Sequence, residues 1–184
     1  MIIEMVAGVD NERIDVEGLI MRIAVLGSLN IDLVAQVERF PRPGETVVGR
    51  SFQQFTGGKG ANQAVACGRL GAEVSMFGAV GGDVFAERLL GALKESNVDT
   101  DSIRRWEDTF SGVAHIWVDA QGENAIAIIA GANANVDIDY VKAAISKLTE
   151  ASWLLLQLET PLEAMAYLLE QLPPEAPNVI LDPA

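Results

Sequence analysis

Phe55-Thr56-Gly57-Gly58-Lys59-Gly60-Ala61-Asn62-Gln63-Ala64 is the stretch from which the fold can be read. Three glycines fall within four residues, and small or apolar residues follow at helical spacing: Ala61, Ala64, Val65, Cys67, Gly68 and Leu70. Glycine permits backbone conformations and close approaches that a Cβ forbids. A helix N-terminus adds free N–H donors and partial positive charge. A glycine turn opening a helix can therefore hold a polar ligand against the main chain, with Lys59 and Asn62 as side-chain donors. It can equally be a plain strand-to-helix turn. The surrounding chain decides between the two.

Upstream, residues 22–27 (Arg-Ile-Ala-Val-Leu-Gly) make a short apolar run of the kind buried in a parallel sheet. Ser28-Leu29-Asn30-Ile31-Asp32 follows, with polar side chains just past the strand's carboxyl end. Open α/β sheets bind ligands there, although Asn and Asp also cap turns. Residues 33–37, 46–49 and 51–55 read as short strands, interrupted by the turn Phe40-Pro41-Arg42-Pro43-Gly44. Downstream, the helix should end near Leu70-Gly71, with Gly71 closing it. A second core strand over 74–80 and an amphipathic helix over 84–96 come next. This βαβ order implies an α/β protein with a parallel sheet and right-handed crossovers.

Residues 102–105, 112–119 and 124–129 are extended in pattern. Alternation puts Ala114, Ile116 and Val118 on one face of the second piece and Val113, His115 and Trp117 on the other. Gly131-Ala132-Asn133-Ala134-Asn135 reads as a polar loop, and Asp137 as the cap of a helix ending about residue 148. A core strand over 153–158 runs into Glu159-Thr160-Pro161, and Pro161 suits the first turn of a helix. A last core strand, 178–181, reaches Asp182-Pro183-Ala184 with nothing after it to cover it. The domain, residues 22–184, therefore reads as lacking its C-terminal part. Residues 1–21 read as an N-terminal extension of unknown role.

The 184 residues are 49% hydrophobic and 21% charged, enough apolar material for a core. A formal charge of −13 argues against nucleic acid or an anionic membrane surface as partner. The single cysteine, Cys67, rules out a disulfide within the chain and reads as a small core residue, which fits a reducing cytoplasm. No apolar run is long enough to span a membrane, and residues 1–20 lack the pattern of a signal peptide.

Asn30, Asp32, Glu159 and Asp182 all fall near the carboxyl ends of predicted parallel strands, so one sheet edge can gather them beside the glycine turn. Donors and acceptors together suit a neutral polyhydroxylated ligand better than a nucleotide. The Walker pattern is absent, because Lys59 is followed by Gly60 and residue 53 is glutamine. The first strand does not end in G-x-G-x-x-G. The single histidine, His115, sits mid-strand, which leaves no zinc set and no Ser-His-Asp triad.

Taken together, three segments resemble the ribokinase (PfkB-type) family of carbohydrate kinases: Gly27-Ser28-Leu29-Asn30-Ile31-Asp32, Phe40-Pro41-Arg42-Pro43-Gly44-Glu45-Thr46, and Gly57 through Ala64. Gly131-Ala132-Asn133-Ala134 and Gln157-Leu158-Glu159 extend the likeness, which covers about residues 22–184. The resemblance implies a three-layer α/β/α fold with a small β lid, formed from about 33–56 and 112–129, that pairs across a homodimer. It implies ATP-dependent phosphorylation of the 5-hydroxyl of D-ribose, with Mg2+ and K+. In the sugar pocket it implies Asn30, Asp32, Gly57, Gly58, Lys59, Asn62 and Glu159, with Ala114 and Ile116 on the lid, and Asp182 toward the metal and phosphate. The family's Asp-Thr-x-Gly-Ala-Gly-Asp motif, which carries the catalytic base and anion hole, has no counterpart in these residues. A chain with the sugar pocket and without the base is expected to be inactive alone. A sugar-binding module without catalysis, and a kinase for another sugar or a nucleoside, stand as alternatives.

Overall fold

The computed structural model describes residues 21–175 and 177–183, so residues 1–20 of the expected extension lie outside the described residues. The chain runs β1 (Arg22–Leu26), β2 (Asn30–Val37), β3 (Gly49–Gly57), α1 (Lys59–Arg69), β4 (Glu73–Gly81), α2 (Val84–Glu95), β5 (Val98–Asp99), β6 (Ile103–Trp106), β7 (Gly112–Val118) and β8 (Asn124–Ile129). A 3₁₀ turn (Gly131–Asn135), α3 (Ile138–Leu148), β9 (Trp153–Gln157), α4 (Leu162–Gln171) and β10 (Asn178–Asp182) complete it.

The main sheet has the order β10-β9-β1-β4-β5, with β6 also paired to β4, and its pairings are parallel. Strand alternation sorts its side chains into two cores. Ile23, Val25, Val74 and Met76 pack on one face with Ala61, Ala64, Leu89 and Leu93 of α1 and α2. Ala24, Leu26, Phe77, Leu154 and Leu156 pack on the other with Tyr140, Val141, Leu148 and Leu168 of α3 and α4. Each fully buried aliphatic side chain contributes roughly 2 kcal/mol relative to exposure. The result is the expected three-layer α/β/α arrangement.

A second sheet of four strands, β3-β2-β7-β8, grows from the carboxyl edge of the first. It is mixed: β2 pairs β3 antiparallel and β7 parallel, and β7 pairs β8 antiparallel. Its strands differ from the sequence reading at their bounds. β2 begins at Asn30 rather than residue 33, because Asn30 pairs both Gly57 and Gly112. Residues 46–48 are not strand, since β3 starts at Gly49 and closes on β2 with a bulge at Gln36/Val37.

Local signals account for most element ends. Asp83 accepts the backbone N–H groups of Phe85 and Ala86 at 3.1 and 3.0 Å, capping α2. Asp137 accepts that of Tyr140 at 2.8 Å, capping α3. Gly71 follows α1 with a φ of +90°, the left-handed conformation that favours glycine at a helix end. Pro161 is the residue before α4. Gly131–Asn135 is a 3₁₀ turn with Ala132 and Asn133 buried rather than a solvated loop. Cys67 is only partly buried.

Candidate functional site

The site forms where β1, β9 and β10 end, beside the start of α1 and the base of the small sheet. Gly58 is the residue before α1, with φ +90°, and no side chain caps the helix there. A Cβ at Gly58 would stand 2.7 Å from the Ser28 carbonyl oxygen and 2.9 Å from the Asn30 nitrogen. The turn after β1 and the turn into α1 are thus packed backbone to backbone. The Ala61 N–H donates to the Ser28 carbonyl at 3.0 Å, which fixes that contact.

The first N–H of α1, that of Lys59, already faces an anion, and it is Glu159. One carboxylate oxygen accepts the backbone N–H of Lys59 at 3.1 Å and the hydroxyl of Ser28 at 2.6 Å. The other accepts from the Lys59 ammonium. Burial would raise the Glu159 pKa, but the bonds from the Lys59 side chain, the Ser28 hydroxyl and the Lys59 N–H outweigh it. They hold the carboxyl below its ordinary value. Ser28 acts as a relay, because its oxygen also receives the Gly60 N–H at 3.4 Å.

Asn30 and Asp32 lie two residues apart on β2 and therefore share a face. Across the small sheet, Asn30 is level with Gly57 and Gly112, and Asp32 with Phe55 and Ala114. The bare Cα of Gly57 leaves space that Asp32 fills: a Cβ there would stand 2.4 Å from Asp32 Oδ2. The Asp32 pKa is raised, first by burial and then by repulsion from the Glu159 carboxylate. That repulsion joins the β2 residues to the Lys59–Glu159 pair in one electrostatic unit. Ile116 is one step farther out, level with Val34 and Ile126, and Asn62 is exposed on the first turn of α1. Asp182 closes β10 and receives a long contact, 3.5 Å, from Gln63 Nε2.

Three further residues belong to this edge. Gln157 is buried at the end of β9 and donates to Gln63 Oε1 at 2.6 Å, joining α1 to the strand beside it. Asn133, buried in the 3₁₀ turn, contacts Leu29 and Asn30. Ser111, buried just before β7, donates its N–H and its hydroxyl to Asp83, each at 2.8 Å, and accepts the Gly81 N–H at 3.0 Å. Burial would raise the Asp83 pKa, but the bonds from Ser111, Ala86 and Phe85 lower it. In the sequence, the Gly131–Ala134 and Gln157–Glu159 segments signalled Asn133 and Gln157, and nothing signalled Ser111.

Among the described residues, no group of three or more His, Cys, Asp or Glu side chains could hold a metal ion. The α1 N-terminus, the natural seat for a phosphate, carries Glu159 instead. At this turn the Lys59 N–H that a phosphate would use is already taken by the Glu159 carboxylate. What the edge does offer is a set of fixed donors and acceptors for hydroxyl groups.

The chain belongs to the pfkB family of carbohydrate kinases, whose profile matches residues 21–184. It is 42% identical over 170 residues to a ribokinase of Schizosaccharomyces pombe, covering 89% of this chain and 54% of that protein. It is 41% identical over 162 residues to a ribokinase of Bacillus subtilis, covering 88% and 55%. A Salmonella typhimurium deoxyribokinase is 37% identical over 164 residues, covering 89% and 54%. The crystal structure of a Thermotoga maritima ribokinase superposes with a TM-score of 0.79 at 33% identity, covering 89% of this chain and 52% of that one. An Arabidopsis thaliana ribokinase complexed with ribose and ATP superposes with a TM-score of 0.76 at 27% identity, covering 89% and 53%. The chain thus spans about half the length of the curated relatives it matches. No helix among the described residues is long and apolar enough to cross a membrane.

Proposed function

We propose that this chain carries the sugar-binding part of a cytoplasmic ATP-dependent kinase that phosphorylates D-ribose at its 5-hydroxyl. The observation that carries the reading is the juxtaposition of Asn30 and Asp32 on β2 with the Lys59–Glu159 pair at the start of α1. A neutral sugar needs acceptors for its O–H groups and donors for its oxygens, and both kinds converge here. Asp32 accepts from hydroxyls, Asn30 and Lys59 donate, Glu159 accepts, and Gly57 and Gly58 let the ring approach the backbone. Asn62 adds a donor from the helix. Ala114 and Ile116 supply the apolar side of the pocket beneath the lid formed by the small sheet. A sugar also avoids the repulsion that a chain of charge −13 exerts on a phosphate ester.

Relatives named ribokinase favour ribose, and the relative named deoxyribokinase favours 2-deoxyribose as the second reading. Phosphoryl transfer needs an oriented nucleophile and neutralised phosphate charge. The 184 residues include no counterpart of the family's base-bearing motif, so the chain alone binds sugar without turning it over. Asp182, ATP, Mg2+ and K+ belong to the phosphate side of the complete reaction.

The lid face carrying Ala114 and Ile116 also bears Phe55, Ile126 and Ile128, which are 48%, 51% and 58% exposed. A second copy of the chain laid across it, lid to lid, would cover them.

Titration calorimetry of the chain with D-ribose, 2-deoxyribose and ATP is the deciding experiment. Ribose binding stronger than deoxyribose binding, with no ribose 5-phosphate formed in the presence of Mg-ATP, is expected. Equal or preferential deoxyribose binding moves the substrate. Absence of any sugar binding removes the pocket, and turnover at an ordinary kinase rate removes the claim of inactivity.

A further inference from the structure

The geometry points to Asn133 as a positioning residue that dictates which end of the Asn30 amide faces the sugar crevice. The inference rests on the sugar-pocket reading given above for its functional consequence, but its geometric content is independent of it. Asn133 lies in the 3₁₀ turn, 103 residues from Asn30 in sequence, and both side chains are buried.

The orientation of the Asn133 amide is forced by the main chain. Its Oδ1 accepts the Leu29 N–H at 2.9 Å, and its Nδ2 donates to the Leu29 carbonyl at 3.1 Å. A backbone N–H can only donate and a carbonyl can only accept, so turning this amide over would set donor against donor and acceptor against acceptor. With that orientation fixed, the remaining Nδ2 hydrogen goes to Asn30 Oδ1 at 2.8 Å. Asn30 must then present its oxygen to Asn133 and keep its nitrogen on the opposite side.

The polarity of a backbone peptide at Leu29 is thereby copied, through two side-chain amides, to the site. Asn30 becomes a dedicated donor, two residues from the acceptor Asp32 on the same strand face. A donor and an acceptor so spaced discriminate a ligand that presents both a hydroxyl oxygen and a neighbouring O–H. The space for this contact is kept by Gly112, where a Cβ would stand 2.1 Å from Asn30 Oδ1 and 2.2 Å from Asn133 Nδ2.

The test is a double-mutant cycle on the 184-residue chain, with D-ribose dissociation constants from calorimetry and melting temperatures recorded alongside. Asn133→Ala should weaken ribose binding about tenfold in the otherwise unaltered chain, yet less than about twofold when Asn30 is already alanine. Equal loss in both backgrounds, or no loss in the first, overturns the inference in favour of a general structural role.

A second measurement covers variants that fail to fold and a chain that binds no sugar. In the unaltered chain, side-chain amide resonances assigned by NMR should show slow proton exchange for both Asn133 Nδ2 hydrogens. Those of Asn30 should exchange faster and shift on adding ribose. Slow exchange at Asn30 with fast exchange at Asn133 overturns the inference. The predicted exchange pattern without any ribose response would instead remove the sugar-pocket reading and leave the positioning intact.

Discussion

The Glu159 carboxylate, 100 residues along the chain from Lys59, receives both the backbone N–H and the ammonium of that one residue. The glycine turn that could have cradled a ligand's phosphate is thus supplied with a carboxylate by the fold itself. Three bonds to charged or polar donors converge on one partly buried group, and each is worth about 1.5–3 kcal/mol where a charge is involved. Glu159→Ala should lower stability by roughly 2–3 kcal/mol, by loss of these bonds and of the anion at the α1 N-terminus. Urea unfolding of the two chains measures it.

The same carboxylate predicts an acid limb of stability. Its folded pKa lies below its ordinary value, so its contribution is complete above the unfolded glutamate pKa, about 4.3. The contribution is lost as pH falls through the lowered folded pKa. Lys59→Ala removes the leading bond that lowers this pKa. The acid limb should then be shallower and end at a higher pH, which thermal melts over a pH series will show.

Asp32 has the opposite sign. Its folded pKa is raised, so the protonated form favours folding: its contribution is present below about 3.9 and lost as pH rises through the raised value. At neutral pH its charge is a cost to the fold. Asp32→Asn should raise the melting temperature at pH 7 while weakening ribose binding about tenfold or more. Calorimetry with ribose and a thermal melt on one sample separate the two effects.

Gly58 is held at φ +90° with two backbones against its Cα. Gly58→Ala meets both the conformational penalty and the Ser28 and Asn30 main chains. A loss of at least about 2 kcal/mol is expected, with a lower urea midpoint.

Arg88 of α2 donates to both the side-chain and main-chain oxygens of Gln54, at 2.9 and 2.8 Å, and so ties β3 to the body. Arg88→Ala should quicken amide exchange in β3 by about fivefold or more, with little change in α3 and α4. Hydrogen-exchange mass spectrometry resolves these segments.

What could be read from the sequence was local. Asp137, Gly71 and Pro161 act within a few residues of themselves, and the apolar runs of β1, β4 and β9 carry their burial in their composition. Glu159 and Asn30 announced themselves by position, after strands ending on the shared edge. The remainder depends on contacts between distant segments. Nothing near Asn30 shows that Gly57 and Gly112 will flank it and make it strand. A polar run such as Gly131–Asn135 looks solvated until the Leu29 peptide and Asn30 arrive to satisfy Asn133. Residues 46–48 have strand-like composition but no partner within the described sheet.

The row Gly57–Asn30–Gly112 crosses the base of the small sheet, where its three leading strands meet the body. Two of its three members carry no side chain, so Asn30 is the one side chain that the row presents. Asp32 and Ala114 stand on the first rung beyond it, and Ile116 on the next. A tilt of the sheet about that line would therefore move the acceptor and the apolar wall together, while Asn30, at the line itself, stays in place. Under the proposed function, such a tilt would carry Asp32 and Ala114 toward a sugar held at Asn30.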